Sequence, residues 1–148
     1  MTSGNTVRLD FHSSLGMLDF VQVVSDHIAR MAGLDDDSIH WVSVAVRESV
    51  INAIKHGNCN DVRKRVHVDF TSLQDGGGPG IAIVVRDEGC GFDPTILADP
   101  LAPENLLKTN GRGIFLMRSF MDEMTFQRVE QGGMQVRMVK RANQSTLA

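Results

Sequence analysis

No window of this chain approaches the roughly 20 consecutive apolar residues that a membrane-spanning helix requires, so no membrane role is expected. The opening Met1-Thr2-Ser3-Gly4-Asn5-Thr6 is polar and lacks the basic start and apolar stretch of a secretory signal, which points to a cytoplasmic protein. Lys and Arg are not gathered into a patch. Their one cluster, Arg63-Lys64-Arg65, reads as a solvated turn, and with a net charge of -3 no direct nucleic-acid binding is expected. Cysteines number 2, Cys59 and Cys90, too few and too far apart for a disulfide framework or a zinc spacing, so each is expected as a free thiol. His12, His27, His40, His56 and His67 show no ligand spacing, which argues against a histidine metal centre. What remains is 148 residues of ordinary apolar content, suited to one domain over 1–148 with an ordered core of about 6–141. A domain of this size buries about 70% of the surface its unfolded chain exposes.

Against these absences stands a regular succession of strand and helix patterns. Val7, Leu9 and Phe11 alternate with Arg8 and Asp10, the period-two pattern of a half-buried strand. Ser13-Ser14 offers a cap. From Leu15 to about Met31 the apolar Leu18, Val21, Val24, Ile28 and Met31 fall on helical spacing, with Gly33 placed to end the helix. Asp35-Asp36-Asp37-Ser38 supplies cap oxygens and negative charge to a second helix, expected from about Ser38 to His56. Its buried stripe is Ile39, Val42, Ala45, Val46, Ser49 and Ala53, while Glu48, Asn52 and His56 share another face and Gly57-Asn58 forms a left-handed stop. Val66, Val68 and Phe70 mark a strand from about Arg65 to Leu73, followed by a glycine-rich hairpin loop over 75–80. Ile81 to Val85 is a continuous apolar run, expected as a central strand buried on both faces that delivers Asp87 at its end. Pro94 to Asn110, with three prolines, reads as a lid or binding loop. Helical spacing from Ile114 to Met121 precedes strands Met124 to Val129 and Met134 to Val139, joined at Glu130-Gln131-Gly132-Gly133, and a disordered tail from Ala142.

Three short elements carry chemistry. Glu48 and Asn52, one helical turn apart, can aim a carboxylate and an amide oxygen at one point. The amide oxygen is a hard ligand that suits magnesium, and the carboxylate can orient or deprotonate a nucleophile. Taken alone, the pair reads as the solvated face of a helix. Asp87 heads Asp87-Glu88-Gly89-Cys90-Gly91-Phe92-Asp93, and Asp before Gly is by itself ordinary turn chemistry. An ionised carboxylate at a strand end can also accept a hydrogen bond from an exocyclic amine such as that of adenine, and Gly89 and Gly91 would let a flat base lie against backbone. Gly111-Arg112-Gly113 opens the third predicted helix, where free amides and the helix dipole favour an anion, and Lys108 and Arg112 can add charge-assisted contacts to phosphates. The plainer alternative for that segment is a flexible loop with surface cations. Together and in this order, the three describe a magnesium-nucleotide pocket.

On these residues the chain resembles the GHKL ATPase superfamily, whose N-box, G1-box and G2-box correspond to Glu48-Ser49-Val50-Ile51-Asn52-Ala53-Ile54-Lys55-His56-Gly57, Asp87 to Asp93, and Gly111-Arg112-Gly113-Ile114-Phe115-Leu116-Met117. Within it, the chain is most similar to bacterial anti-sigma-factor serine/threonine kinases of the RsbW kind, over nearly its whole length. The resemblance implies an α/β (α+β) two-layer sandwich of the Bergerat, histidine-kinase-like type, a mixed, mainly antiparallel sheet with helices on one face. It implies ATP and Mg2+ as cofactors, with Glu48 as catalytic base and Asn52 as magnesium ligand. It further implies that Asn52, Lys55, Asp87, Gly89, Gly91 and Phe92 line the nucleotide, with Lys108, Thr109, Asn110, Gly111, Arg112, Gly113 and Ile114 closing around the phosphates.

The same resemblance implies an ATP-dependent protein serine/threonine kinase that binds a sigma factor and phosphorylates a small antagonist protein, with a homodimer as a family expectation. Two readings compete: an ATP-binding switch module without significant kinase activity, and a detached catalytic domain of a histidine kinase. Two positions depart from the family pattern. Relatives often place a Thr after the glycine of the final hairpin, where this chain has Met134, and an uncharged residue between the glycines that here flank Arg112.

Overall fold

The computed structural model describes residues 3–74, 76–89, 117–130 and 132–142. The expected lid, the tail beyond Ala142, and the expected site residues Gly91, Phe92, Lys108, Thr109, Asn110, Gly111, Arg112, Gly113 and Ile114 lie outside the described residues, whereas Ala142 itself, expected to open a disordered tail, is tied down by its amide donating to the Pro79 carbonyl at 2.8 Å. Within them, five strands form one sheet: β1 (Ser3–His12), β2 (Arg65–Leu73), β3 (Gly80–Arg86), β4 (Glu123–Arg128) and β5 (Met134–Arg141), in spatial order β1-β2-β3-β5-β4. All four pairings are antiparallel. The mainly antiparallel sheet expected is found, but no parallel pairing makes it mixed among the described residues: β3 and β4 point the same way only because β5 runs between them.

The helices cover one face. A 3-10 turn over Leu15–Met17, capped by the Ser14 hydroxyl accepting from the Gly16 amide at 3.2 Å, leads into α1 (Leu18–Met31). Gly33, at φ +90, reverses the chain so that the Leu34 amide reaches the Ala29 carbonyl at 3.1 Å and Leu34 drops into the core. The buried arc of α1 is Leu18, Val21, Ser25, Ile28 and Ala29. Met31, expected on the apolar stripe, is 62% exposed, because at 3.6 residues per turn it falls well off that arc.

Helix α2 (Asp36–Asn52) begins where Asp35 caps it, Oδ1 accepting from the Ser38 amide at 2.8 Å, and buries the expected stripe of Ile39, Val42, Ala45, Val46 and Ser49. Its C-terminal end differs from the expectation. From Ala53 to Gly57 the chain widens into a π turn, closed by the Asn58 amide on the Ala53 carbonyl at 2.7 Å. The left-handed residues are then Cys59 and Asn60, with φ of 54 and 59, whereas Asn58 stays right-handed.

Alternation in β2 places Val66, Val68 and Phe70 under the helices, opposite Val85 and Ile83 of β3 and, across β3, Val136 and Met138 of β5. Burying each Val, Ile or Phe side chain contributes roughly 1.5–3 kcal/mol, and a one-residue slip of β3 would turn its whole apolar set to the other face. Register is therefore tightly held, and with it the place where β3 delivers Asp87. On the far face, Leu73, Ala82 and Val139 form a small buried cluster. Residues 117–120 are helical and return to the helix layer: Phe120 stacks on Trp41 of α2 at a centroid distance of 3.7 Å, and the Ser49 hydroxyl lies 3.7 Å from the Met117 sulfur and 3.5 Å from that of Met138. No helix among the described residues is long and apolar enough to cross a membrane.

Candidate functional site

At the end of β3 the strand hydrogen bonding continues for one residue. The Asp87 amide donates to the Met134 carbonyl at 3.0 Å, and the Met134 amide donates back to Asp87 Oδ1 at 3.0 Å. The Gly89 amide also donates to Oδ1, at 3.0 Å. One carboxylate oxygen is thus held by two backbone donors at the head of β5. Asp87 is only 6% exposed, and burial pushes its carboxyl up to about 6, an effect that the amides of Met134 and Gly89 oppose without cancelling.

The other oxygen, Oδ2, faces the end of the π turn. A Cβ built on Gly57 would overlap the Asp87 carboxylate, so the absence of a side chain there leaves the space that Oδ2 occupies. This juxtaposition joins the helix carrying Glu48 and Asn52 to the strand end carrying Asp87. Glu48 and Asn52 are half-buried, whereas Lys55 and His56 are exposed in the π turn.

Glycines also make the wall behind Asp87. Gly89 has φ +75, and a Cβ on it would come within 2.9 Å of the Gly133 amide nitrogen; Gly133 has φ +133, and a Cβ there would overlap the Asp87 carbonyl oxygen. The turn after Asp87 and the β4–β5 hairpin therefore lie backbone against backbone.

The outer side of the Asp87 turn is held by the segment leading into β2. Lys64 Nζ donates to the Gly89 carbonyl, and the Glu88 carboxylate accepts from the Arg65 amide at 3.0 Å and pairs with His67 Nε2 at 3.1 Å. Partial burial raises the Glu88 carboxyl, but the Arg65 amide and then His67 outweigh it and hold the group below the ordinary glutamate value. Arg63-Lys64-Arg65, expected as a solvated turn, so contributes two of its three residues to this brace. Cys59, expected as a free thiol, is disulfide-bonded, whereas Cys90 lies outside the described residues.

The histidine kinase-like ATPase domain family matches residues 17–140, a span that includes both halves of this arrangement. The chain belongs to that family. Among curated relatives of this ATPase domain, the serine-protein kinase RsbW of Staphylococcus aureus is 30% identical over 141 residues, covering 90% of this chain and 85% of the relative. The RsbW of Staphylococcus epidermidis is 28% identical with the same coverage. The crystal structure of the RsbU and RsbW domains of a Mycobacterium tuberculosis protein has the same fold, with a TM-score of 0.65 at 17% identity over 93% of this chain and 32% of that one. This ATPase domain is accordingly RsbW-like, of the protein serine/threonine kinase class, and uses ATP.

Several contributors to the site are not among the residues picked from the sequence. Gly57 acts by the room it leaves, Met134 by its peptide group, and Asn58 and Lys64 by contacts to residues 25 or more positions away. The Met134 departure from the family pattern points to the hairpin, yet the contact made there needs no particular side chain.

Proposed function

We propose that this chain, acting as one ATP-binding domain in the cytoplasm, is an anti-sigma factor that binds a sigma factor and transfers the γ-phosphoryl group of ATP to a serine or threonine of a small antagonist protein. The observation that carries the reading is the Asp87 carboxylate. Two amides immobilise Oδ1, and Oδ2 lies in the recess left by Gly57, as a fixed acceptor for the amino group of adenine should. The names of the relatives, serine-protein kinases, support the reaction class.

In this reading Asn52 supplies an amide oxygen to Mg2+. Among the described residues no group of three or more His, Cys, Asp or Glu is placed to hold a metal ion. That donor set fits a magnesium ion bound through the nucleotide phosphates with one or two protein oxygens rather than in an all-protein cage. Bound Mg2+ would neutralise charge on the phosphates. Glu48 orients the attacking hydroxyl and accepts its proton, and Lys55, Gly89, Gly91, Phe92 and the run Lys108 to Ile114 line the nucleotide. Phosphoryl transfer rests on positioning and electrostatics, so this small set suffices.

The test is intact-mass measurement of candidate antagonists after incubation with the protein, ATP and magnesium. Gain of one phosphate that is lost with Glu48→Gln supports the proposal. No gain from any antagonist that the ATP-loaded protein binds would instead make it a nucleotide-dependent binding switch.

A further inference from the structure

Asn58 is, among the described residues, the one fully buried polar side chain that touches the Asp87 turn without belonging to it. Its Oδ1 accepts from the Glu88 amide at 2.8 Å, and its Nδ2 donates to the Ser13 hydroxyl at 2.9 Å and to the Arg65 carbonyl at 3.0 Å. The chemistry of these partners fixes which way the amide points. A flipped side chain would set NH2 against the Glu88 N–H and oxygen against the Arg65 carbonyl. Asn58 thereby ties the turn to the end of β1 and the start of β2.

The peptide unit between Asp87 and Glu88 is what this side chain controls. Its carbonyl oxygen sits where only a glycine at position 133 can approach, and its N–H points into Asn58 Oδ1. Rotation of that peptide plane would carry the Gly89 amide away from Asp87 Oδ1, where it donates at 3.0 Å, and so release the carboxylate from one of its two backbone donors. On the β5 side Gly133 packs against the Asp87 carbonyl and the Met134 amide holds Oδ1, while Asn58 holds the N–H edge.

We infer that Asn58 is a positioning residue for nucleobase recognition: by holding the Asp87–Glu88 peptide plane it aims Asp87 Oδ2 at the base. This rests on the proposed reading of Asp87 as the adenine acceptor. Asn58 does not touch the nucleotide; it sets the direction of the group that does. Its effect is therefore on selectivity for the amino group, beyond any effect on folding.

The test compares calorimetric Kd values for ATP and inosine triphosphate, whose base carries an oxygen in place of the amino group, for the wild type, Asn58→Ala, Ser13→Ala and Asp87→Asn. One well-placed hydrogen bond is worth about tenfold, so the wild type should prefer ATP by at least about that factor and Asp87→Asn should abolish the preference. Asn58→Ala should lower the ATP/inosine triphosphate ratio at least about threefold, while Ser13→Ala, which removes a structural partner of Nδ2 but leaves Oδ1 on Glu88, should keep it. Loss of folded protein alone scales both affinities equally and leaves the ratio unchanged. If the wild type shows no preference, the reading of Asp87 fails and this inference with it. If Asp87→Asn abolishes the preference but Asn58→Ala retains it, the positioning role alone is overturned. Should Asn58→Ala not fold, amide hydrogen exchange on the wild type decides: protection of the Glu88 amide comparable to that of Asp87 supports the role, and exchange at a free-loop rate refutes it.

Discussion

Replacing Asp87 by Asn should raise stability and destroy ATP binding at once, and both effects follow from the same geometry. The carboxyl titrates near 6 in the folded protein against an ordinary value of 3.8. A tenfold change in proton affinity corresponds to roughly 1.4 kcal/mol, so at neutral pH the buried charge costs about 3 kcal/mol. Because the folded value is raised, the folded state holds the proton more tightly than the unfolded one, and wild-type stability declines as pH rises from about 4 to about 6. An Asn has no such dependence. Its Oδ1 still accepts from Gly89 and Met134, which forces Nδ2 into the place of Oδ2, facing Gly57 and the base. Loss of a hydrogen bond to a charged acceptor, about 1.5–3 kcal/mol, together with two opposed donors, should weaken ATP binding by at least about tenfold and up to about 100-fold or more. Thermal melts without nucleotide at pH 4 and pH 7 measure the first effect. The variant should match the wild type at the lower pH and melt several degrees above it at the higher, at roughly 2–4 °C per kcal/mol for a chain of this size. Calorimetry with ATP measures the second. A variant that melts below the wild type at pH 7, or binds ATP with unchanged Kd, would refute the placement of the buried charge or of the base.

Other substitutions separate the contributions of helix, turn and hairpin. Glu48→Gln should leave the ATP Kd within about twofold and slow phosphate transfer by at least about 100-fold, the usual scale of general-base loss, read by radiolabel incorporation into the antagonist. Gly57→Ala places a methyl group against the Asp87 carboxylate; it should destabilise the fold by about 1–3 kcal/mol in denaturant unfolding and weaken ATP binding with it. Met134→Thr should leave ATP affinity within about twofold, whereas Met134→Pro, which deletes the amide that holds Asp87 Oδ1, should weaken it by about tenfold or more in the same calorimetric assay.

What could be read from the sequence was what is local. β2 was expected from Arg65 to Leu73 and is found there, because strict alternation of Val66, Val68 and Phe70 leaves one solution. The apolar run ending at Asp87 likewise announced a central strand, and β3 is third of five in the sheet. The end of α2 was not legible: nothing in Ala53-Ile54-Lys55-His56-Gly57 distinguishes a π turn from a continuing α-helix, since the difference lies in which carbonyl the Asn58 amide finds. The brace around Asp87 was hidden for a related reason. Asn58 and Glu88 are 30 residues apart, and Met134 and Asp87 are 47 apart and joined through a peptide N–H that every residue but proline carries. Side-chain motifs cannot reveal contacts made by backbone.

The order β1-β2-β3-β5-β4 gives the chain two kinds of connection with opposite tolerance to change in length. Between Asp87 and Asp122 it joins β3 to β4, strands that share no hydrogen bonds, so added or deleted residues there shift no register. Between Arg128 and Met134 it joins β4 directly to β5, and the Val129 amide closes on the Gly133 carbonyl at 3.0 Å one residue before Met134 engages Asp87. A single insertion in that hairpin would displace the donor to Oδ1, although it lies far along the chain from every motif residue. In this architecture the length of the β3–β4 connection is free to vary, and that of an ordinary β-turn is not.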